Sequence, residues 1–277
     1  MEPLVSAPWL HCNLERTDLI VLEAGLPSAV SAHAASVSED HGIPGAVYVD
    51  LNKHFIDDIQ SLPHMLAAED RFSEDARKLG INQNDTIIVY DKFGVYASPR
   101  LRLAFKAMGL VKVAVLDGGL PAWQALGLST TRIEQGNRPT GDFVACVLSP
   151  LFCNAEFVVE STRFANFTVV DARSAGRFKG TSPEPRAGLR SGHIPGALNL
   201  PFEAVLDRGK MRPVAELKRV FDELSIPQSN LIFTCGSGVT ACIPALAAEL
   251  IGFNDIRIYD GSWAEWGARA DLPVAID

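Results

Sequence analysis

A chain of 277 residues with 47% hydrophobic and 21% charged side chains holds enough apolar material for one large or two ordinary globular domains. Its 25 basic against 33 acidic residues leave a net charge of -8, with no lysine or arginine run to follow a phosphate backbone, which argues against nucleic acid as a partner. The opening MEPLVSAPWLHCNLERTDLI has no basic stretch followed by an apolar one, and no window approaches bilayer-spanning length, so a cytoplasmic protein with no membrane partner is expected.

Taken in chain order, the elements come twice. An apolar strand-like run ending in an acid and an alanine, LIVLEAG (19 to 25), returns as TVVDAR (168 to 173), and HGIPGAVYVDL (41 to 51) returns as GHIPGALNLPF (192 to 202). DTIIVYDKFGVYAS is matched by NLIFTCGSGVTA, and VAVLDGGLPAW (113 to 123) by IRIYDGSWAEW (256 to 266). The spacing is nearly constant: 144 positions from Asp91 to Cys235 and 143 from Trp123 to Trp266. Runs such as IIVY and LIFT are short and β-branched, as strands are, while RFSEDARKLG and VAELKRVFDELS space their apolar residues three or four apart, as helices do. Strands alternating with helices predict an α/β fold in each half, a mainly parallel sheet flanked by helices. The expected division is a first domain over 1–135, a linker over 136–150 cut from the polar, turn-rich stretch TTRIEQGNRPTGD, and a second domain over 151–277.

The five cysteines, Cys12, Cys146, Cys153, Cys235 and Cys242, are odd in number and scattered, with neither a C-x-x-C pair nor histidines in zinc-ligand spacing; free thiols are expected, and no metal. Cys235 differs from the rest by its setting. It follows the strand LIFT and opens the turn Cys235-Gly236-Ser237-Gly238-Val239 before a helix starting near Thr240. Glycines let successive amide N–H groups converge, and the positive end of the following helix adds to the field, so the turn is an anion cradle. A sulfur placed there is expected as thiolate, the nucleophilic form. A cysteine at a strand end is also commonly a small core residue. The first half weighs against that for Cys235: it keeps strand and helix but has Asp91 in that position and lacks the Gly-x-Gly pattern, as if one half served chemistry and the other support. A cysteine phosphatase needs an arginine six positions after its cysteine; Ala241 stands there.

The tandem halves, GHIPGA, CGSGVTA and the closing YDGSWAEWGARADLP together resemble the two-domain rhodanese-type sulfurtransferases over nearly the whole chain, and the uncharged loop CGSG resembles their mercaptopyruvate-using branch. The resemblance implies two tandem rhodanese-like domains, the first non-catalytic. It implies a Cys235 persulfide that carries sulfur from 3-mercaptopyruvate to a thiol such as thioredoxin, or to cyanide, with release of pyruvate and no cofactor. It further implies that Arg177 and Arg186 bind the donor carboxylate beside the loop residues Gly236, Gly238, Val239 and Thr240, with Arg190 a weaker candidate, and that Ser237 and His64 handle protons, His64 from the first domain. The family's aspartate upstream of that histidine aligns with Asn52, so Asp50 or Asp57 stands in or the relay lacks its third member. Thiosulfate as donor, and a non-catalytic binding module, are the alternatives. Three departures stand out: Gly25 in place of an arginine, HGIPGA in place of GHIPGA, and Pro244 early in the helix after the loop. Cys242 has helical spacing and apolar neighbours, which suit a core residue.

Overall fold

The structure is a computed structural model describing residues 1–26, 41–57, 62–133, 138–148, 150–226 and 230–277. It divides into two units: Met1–Asp58 with Leu66–Ser149 and Arg208–Met211, and Ile59–Met65 with Pro150–Asp207 and Arg212–Asp277.

In the first unit, strands β1 (Leu4–Val5), β2 (Leu19–Gly25), β3 (Val47–Asp50), β4 (Thr86–Tyr90) and β5 (Val113–Leu116) form one sheet in the order β1-β5-β4-β2-β3, every pair parallel. The central strand β4 is buried at all five residues, as a strand covered on both faces must be. Alternate residues serve opposite faces. Ile88 and Tyr90 join Leu10, Leu19, Val21, Leu116 and Trp123 in one core cluster. A second buried group consists of the interlocked rings of Phe55, Phe72, Phe105 and Phe143.

Helix α1 spans Ala7–Asn13, α2 Glu69–Lys78, α3 Ser98–Ala107 and α4 Gly119–Gln124. The helical spacing of RFSEDARKLG is realised in α2, where Phe72 and Ala76, four apart, are fully buried. Acids in its first turn and bases in its last suit the helix dipole.

In the second unit the arrangement returns: β6 (Phe152–Cys153), β7 (Thr168–Asp171), β8 (Leu198–Asn199), β9 (Leu231–Thr234) and β10 (Ile256–Tyr259) are parallel in the order β6-β10-β9-β7-β8. Helices α5 (Ala155–Phe164), α6 (Ala175–Phe178), α7 (Val214–Glu223), α8 (Cys242–Leu250) and α9 (Ser262–Trp266) follow in chain order. Leu217 and Phe221 make the buried stripe of α7. The sequence repeat is therefore a repeat of topology. The matched tryptophans do the same work in each copy: both are fully buried, Trp123 Nε1 donates to Ser129 O at 2.9 Å and Trp266 Nε1 to Pro273 O at 2.7 Å.

Three segments depart from the sequence expectation. Within the stretch expected as linker, residues 141–146 are laid along the first unit. Gly141 N donates to Arg77 O, Phe143 N to Ile81 O, Ala145 N to Ser73 Oγ and Cys146 N to Met108 O, while the Phe143 ring is fully buried. Its composition is polar, but one aromatic ring and a run of extended backbone suffice to bind it. Ile59–Met65, from the first half of the chain, belong to the second unit. Conversely, Arg208–Met211 join the first unit, where Val95 N donates to Gly209 O at 2.8 Å and Met211 N to an Asp117 oxygen at 2.9 Å.

Candidate active site

Cys235 stands directly after β9, at the carboxyl end of the central strand of the second sheet, where ligands of parallel α/β sheets bind. The following turn is held from behind by the start of α9. Trp263 N donates to Cys235 O at 3.0 Å and Ala264 N to Gly236 O at 2.9 Å. Cys235 N donates to Ser262 Oγ at 3.2 Å, and that hydroxyl donates on to Tyr259 O at 2.7 Å. Because trans peptides set N–H opposite C=O, tying these two carbonyls to α9 turns the Gly236 and Ser237 N–H groups away from it. Gly238, at φ 73°, supplies the left-handed residue that lets the turn close. Val239 is buried at 3%, so its side chain serves packing and its backbone faces the turn; Thr240 is half-buried.

The first unit shows what this turn geometry collects. There Asp91 Oδ2 accepts from the amides of Tyr96, Ala97 and Ser98 at 3.0, 3.1 and 2.9 Å, and Leu120 N donates to Asp91 O as Trp263 N does to Cys235 O. At the repeat offset these three amides correspond to Thr240, Ala241 and Cys242, of which Cys242 N donates to Val239 O at 3.1 Å. In the second unit Pro244 is the third residue of α8, within the first turn, where a missing N–H leaves no helical bond unmade. Cys242 is buried and its Sγ contacts Gly238 O at 3.2 Å, as a core residue of α8.

Arg177 and Arg186 both reach Gly236. A methyl group placed on that glycine would stand 3.2 Å from Arg177 Nη2 and 3.7 Å from Arg186 Nη1, so the guanidinium groups occupy the space a side chain would take there. Arg177 leaves α6 and is gripped by Glu184, with Nη2 at 2.6 Å from Oε2 and Nε at 3.2 Å from Oε1. Glu184, 2% exposed, also accepts from Arg173 Nη1 at 2.8 Å. Arg173 is itself fully buried: it donates to Asp171 and to Gly192 O, and its guanidinium lies 4.0 Å from the Trp263 ring. The site is thus a loop without charged side chains beneath two guanidinium groups, one of them braced from the core.

Arg190, from the same loop, has another role. Its guanidinium donates to the carbonyls of Trp266, Gly267, Arg269 and Leu272, closing the end of α9, which makes it a structural clamp.

His64 Nδ1 and Ser237 Oγ lie 3.2 Å apart, so the two residues named for proton handling are brought together within the second unit. His64 has φ 62°, in the left-handed region that non-glycine residues seldom adopt. Asp50 serves its own turn: its carboxylate accepts from Asn52 N at 3.0 Å and pairs with Lys53 at 3.0 Å. The net effect holds it below the ordinary aspartate value, with partial burial opposing those bonds.

Sequence reasoning missed Arg173, Glu184 and Ser262 as parts of this site. Ser262 carried one signal, since it aligns with Gly119: both sit at positive φ, 49° and 52°, in the turn that braces each loop.

The geometry defines a tandem α/β protein with one cysteine loop at the carboxyl end of a central strand, beneath two guanidinium groups. The rhodanese-like domain model matches it twice, over residues 6–126 and 158–269. The chain belongs to the rhodanese family, in its two-domain sulfurtransferase form. It is 35% identical to the 3-mercaptopyruvate sulfurtransferase of Escherichia coli (strain K12), covering 98% of this chain and 96% of the relative, and 39% identical to the human enzyme of the same name, covering 96% and 92%. The thiosulfate/3-mercaptopyruvate sulfurtransferase 1, mitochondrial, of Arabidopsis thaliana is 37% identical, over 99% of this chain and 78% of the relative. The crystal structure of SseA from Escherichia coli, a 3-mercaptopyruvate sulfotransferase with the rhodanese fold, superposes with a TM-score of 0.83 at 30% identity, over 96% of this chain and 100% of that one.

Proposed function

We propose that this sulfurtransferase takes its sulfur from 3-mercaptopyruvate through Cys235. The observation that carries the reading is the pair Arg177 and Arg186 above Gly236: guanidinium groups match a planar carboxylate, and they stand beside the nucleophile. The donor carboxylate binds Arg177 and Arg186, bringing its sulfur to Cys235. The Cys235 thiolate attacks that sulfur, the S–C bond breaks, and its electron pair leaves as the enolate of pyruvate. Protonation at carbon gives pyruvate, and Ser237 with His64, 3.2 Å apart, is the pair suited to move that proton. Cys235 keeps the persulfide, whose outer sulfur lies in the cradle of loop amides. An acceptor thiolate, from a small thiol or a protein such as thioredoxin, then attacks the outer sulfur and Cys235 leaves as thiolate. The first unit, with Asp91 in place of the cysteine, has no thiol in its loop and takes no part in the transfer.

Thiosulfate is the second donor to test, since the Arabidopsis relative bears both donors in its name. The test is the intact mass of the protein after incubation with either donor, beside Cys235→Ser, with released pyruvate measured in parallel. One added sulfur from 3-mercaptopyruvate, absent in the variant and matched by pyruvate, is the expected result. Preferential loading by thiosulfate overturns the donor, and no loading by either makes the chain a binding module.

A further inference from the structure

We infer that Glu184 is the specificity-determining positioning residue of this site, holding Arg177 over the cysteine loop and setting the site's charge to suit a singly charged donor. The inference rests on the reading of Arg177 as a ligand for the donor carboxylate.

Glu184 grips the Nε/Nη2 edge of Arg177 side-on, and Nη1 makes no hydrogen bond among the described residues. The grip fixes the plane of the guanidinium, and the Nη2 and Nη1 atoms then stand 3.2 and 3.9 Å from the place of a methyl group on Gly236. A role as counter-ion to Arg173 alone does not account for this geometry. Arg173 already has both oxygens of Asp171, the carbonyl of Gly192 and the face of Trp263, and it takes one bond from Glu184 where Arg177 takes two.

Charge gives the second half of the argument. Asp171 balances Arg173 and Glu184 balances Arg177, whereas Arg186 pairs with no carboxylate among the described residues. The group of five therefore carries one net positive charge before the Cys235 thiolate is counted, so a 2-oxo acid monoanion leaves less uncompensated negative charge at the site than a dianion does. A dianion such as thiosulfate would add a second negative charge close to the buried Glu184 carboxylate, and like charges held close together repel. Removing the Glu184 charge should then penalise one donor by loosening Arg177 and favour the other by raising the local positive charge.

The experiment compares 3-mercaptopyruvate and thiosulfate as donors to the full chain and to Glu184→Gln, Glu184→Asp and Arg177→Ala. Melting temperature and near-ultraviolet circular dichroism, sensitive to Trp263, report the fold. For Glu184→Gln, KM for 3-mercaptopyruvate should rise about tenfold with kcat changed less than threefold, and the ratio of kcat/KM for 3-mercaptopyruvate over thiosulfate should fall at least tenfold. Glu184→Asp keeps the charge but shortens the reach, so KM for 3-mercaptopyruvate should rise while the donor ratio moves less; this variant decides the matter if Glu184→Gln does not fold. Equal losses for both donors, or an unchanged KM in both Glu184 variants, overturn the inference alone when Arg177→Ala raises KM. An unchanged KM in Arg177→Ala overturns the functional reading of that arginine and the inference with it.

Discussion

Asp91 occupies in the first unit the position that Cys235 occupies in the second: each is the residue that follows the last one of its central strand, and each carbonyl accepts from the helix that braces its turn. The difference lies in what fills the cradle, because the Asp91 carboxyl turns back into it and takes three amides on one oxygen. Burial lifts this carboxyl above its ordinary value of 3.8, outweighing those bonds. An acid raised in this way is protonated more readily in the folded state, which therefore holds more protons than the unfolded chain in the window above pH 3.8. Stability contributed by Asp91 is full below that window and falls as pH rises through it. Asp91→Asn keeps an acceptor without the titration. Its urea midpoint should match the parent at the acid end and exceed it once pH rises above 3.8. Asp91→Ala leaves three amides without their acceptor and should be less stable than both by about 3 kcal/mol or more.

Arg190 and Arg186 leave the same loop for opposite purposes. Because Arg190 closes four carbonyls at the end of α9, Arg190→Ala should lower stability by about 3 kcal/mol, the scale of charged hydrogen bonds lost to partly buried acceptors. The fraction that remains folded should bind donor normally. Denaturant titration and KM for 3-mercaptopyruvate check the two halves separately, and a raised KM with stability intact would return Arg190 to the binding residues.

These arginines show where sequence legibility ends. The periodicities of IIVY, LIFT and VAELKRVFDELS specify strands and helices because burial on a pleated sheet or one helix face requires those spacings, and the repeat showed that the same sheet is built twice. The cysteine turn was legible for the same local reason: its glycines, its place after a strand and the helix beyond it are neighbours in the chain. Partners distant in the chain leave no such mark. Nothing in PEPRAGLR separates Arg186, which reaches Gly236, from Arg190, which reaches α9, since the separation is made by carbonyls 76 to 82 positions away. Glu184 looks like a loop acid until Arg173 and Arg177 fold around it. Phe143, a single ring in a polar stretch, has no period with which to announce that its segment is bound.

Gly236 is required by the arginines as much as by the turn. The Cβ of Gly236→Ala would stand 3.2 Å from Arg177 Nη2, closer than packed atoms ordinarily sit, and the Glu184 grip limits how far the guanidinium can retreat. The expected outcome is a KM for 3-mercaptopyruvate raised roughly fivefold, equivalent to about 1 kcal/mol of binding, with kcat nearly unchanged. Steady-state pyruvate release measures it. An unaltered KM would mean that neither guanidinium needs the space above the loop.

Cys153 tests whether reactivity in this chain follows setting or mere presence of a thiol. It ends β6 at the sheet edge, where burial pushes the thiol up to about 12; Arg257 nearby pulls it down and Asp260 adds to the rise. At pH 8 the thiolate fraction is on the order of one in ten thousand, and alkylation slows in proportion. Cys12 and Cys146 are exposed, and Cys242 is buried with its sulfur against Gly238 O. In Cys235→Ser, iodoacetamide at pH 8 should therefore add two groups, at Cys12 and Cys146, with Cys153 and Cys242 unmodified until the chain is denatured; peptide mass spectrometry reads the sites. Labelling of Cys153 at the rate of Cys12 would mean that the sheet edge opens to solvent in the native protein, and the thiol would then count among those able to take sulfur from a persulfide donor.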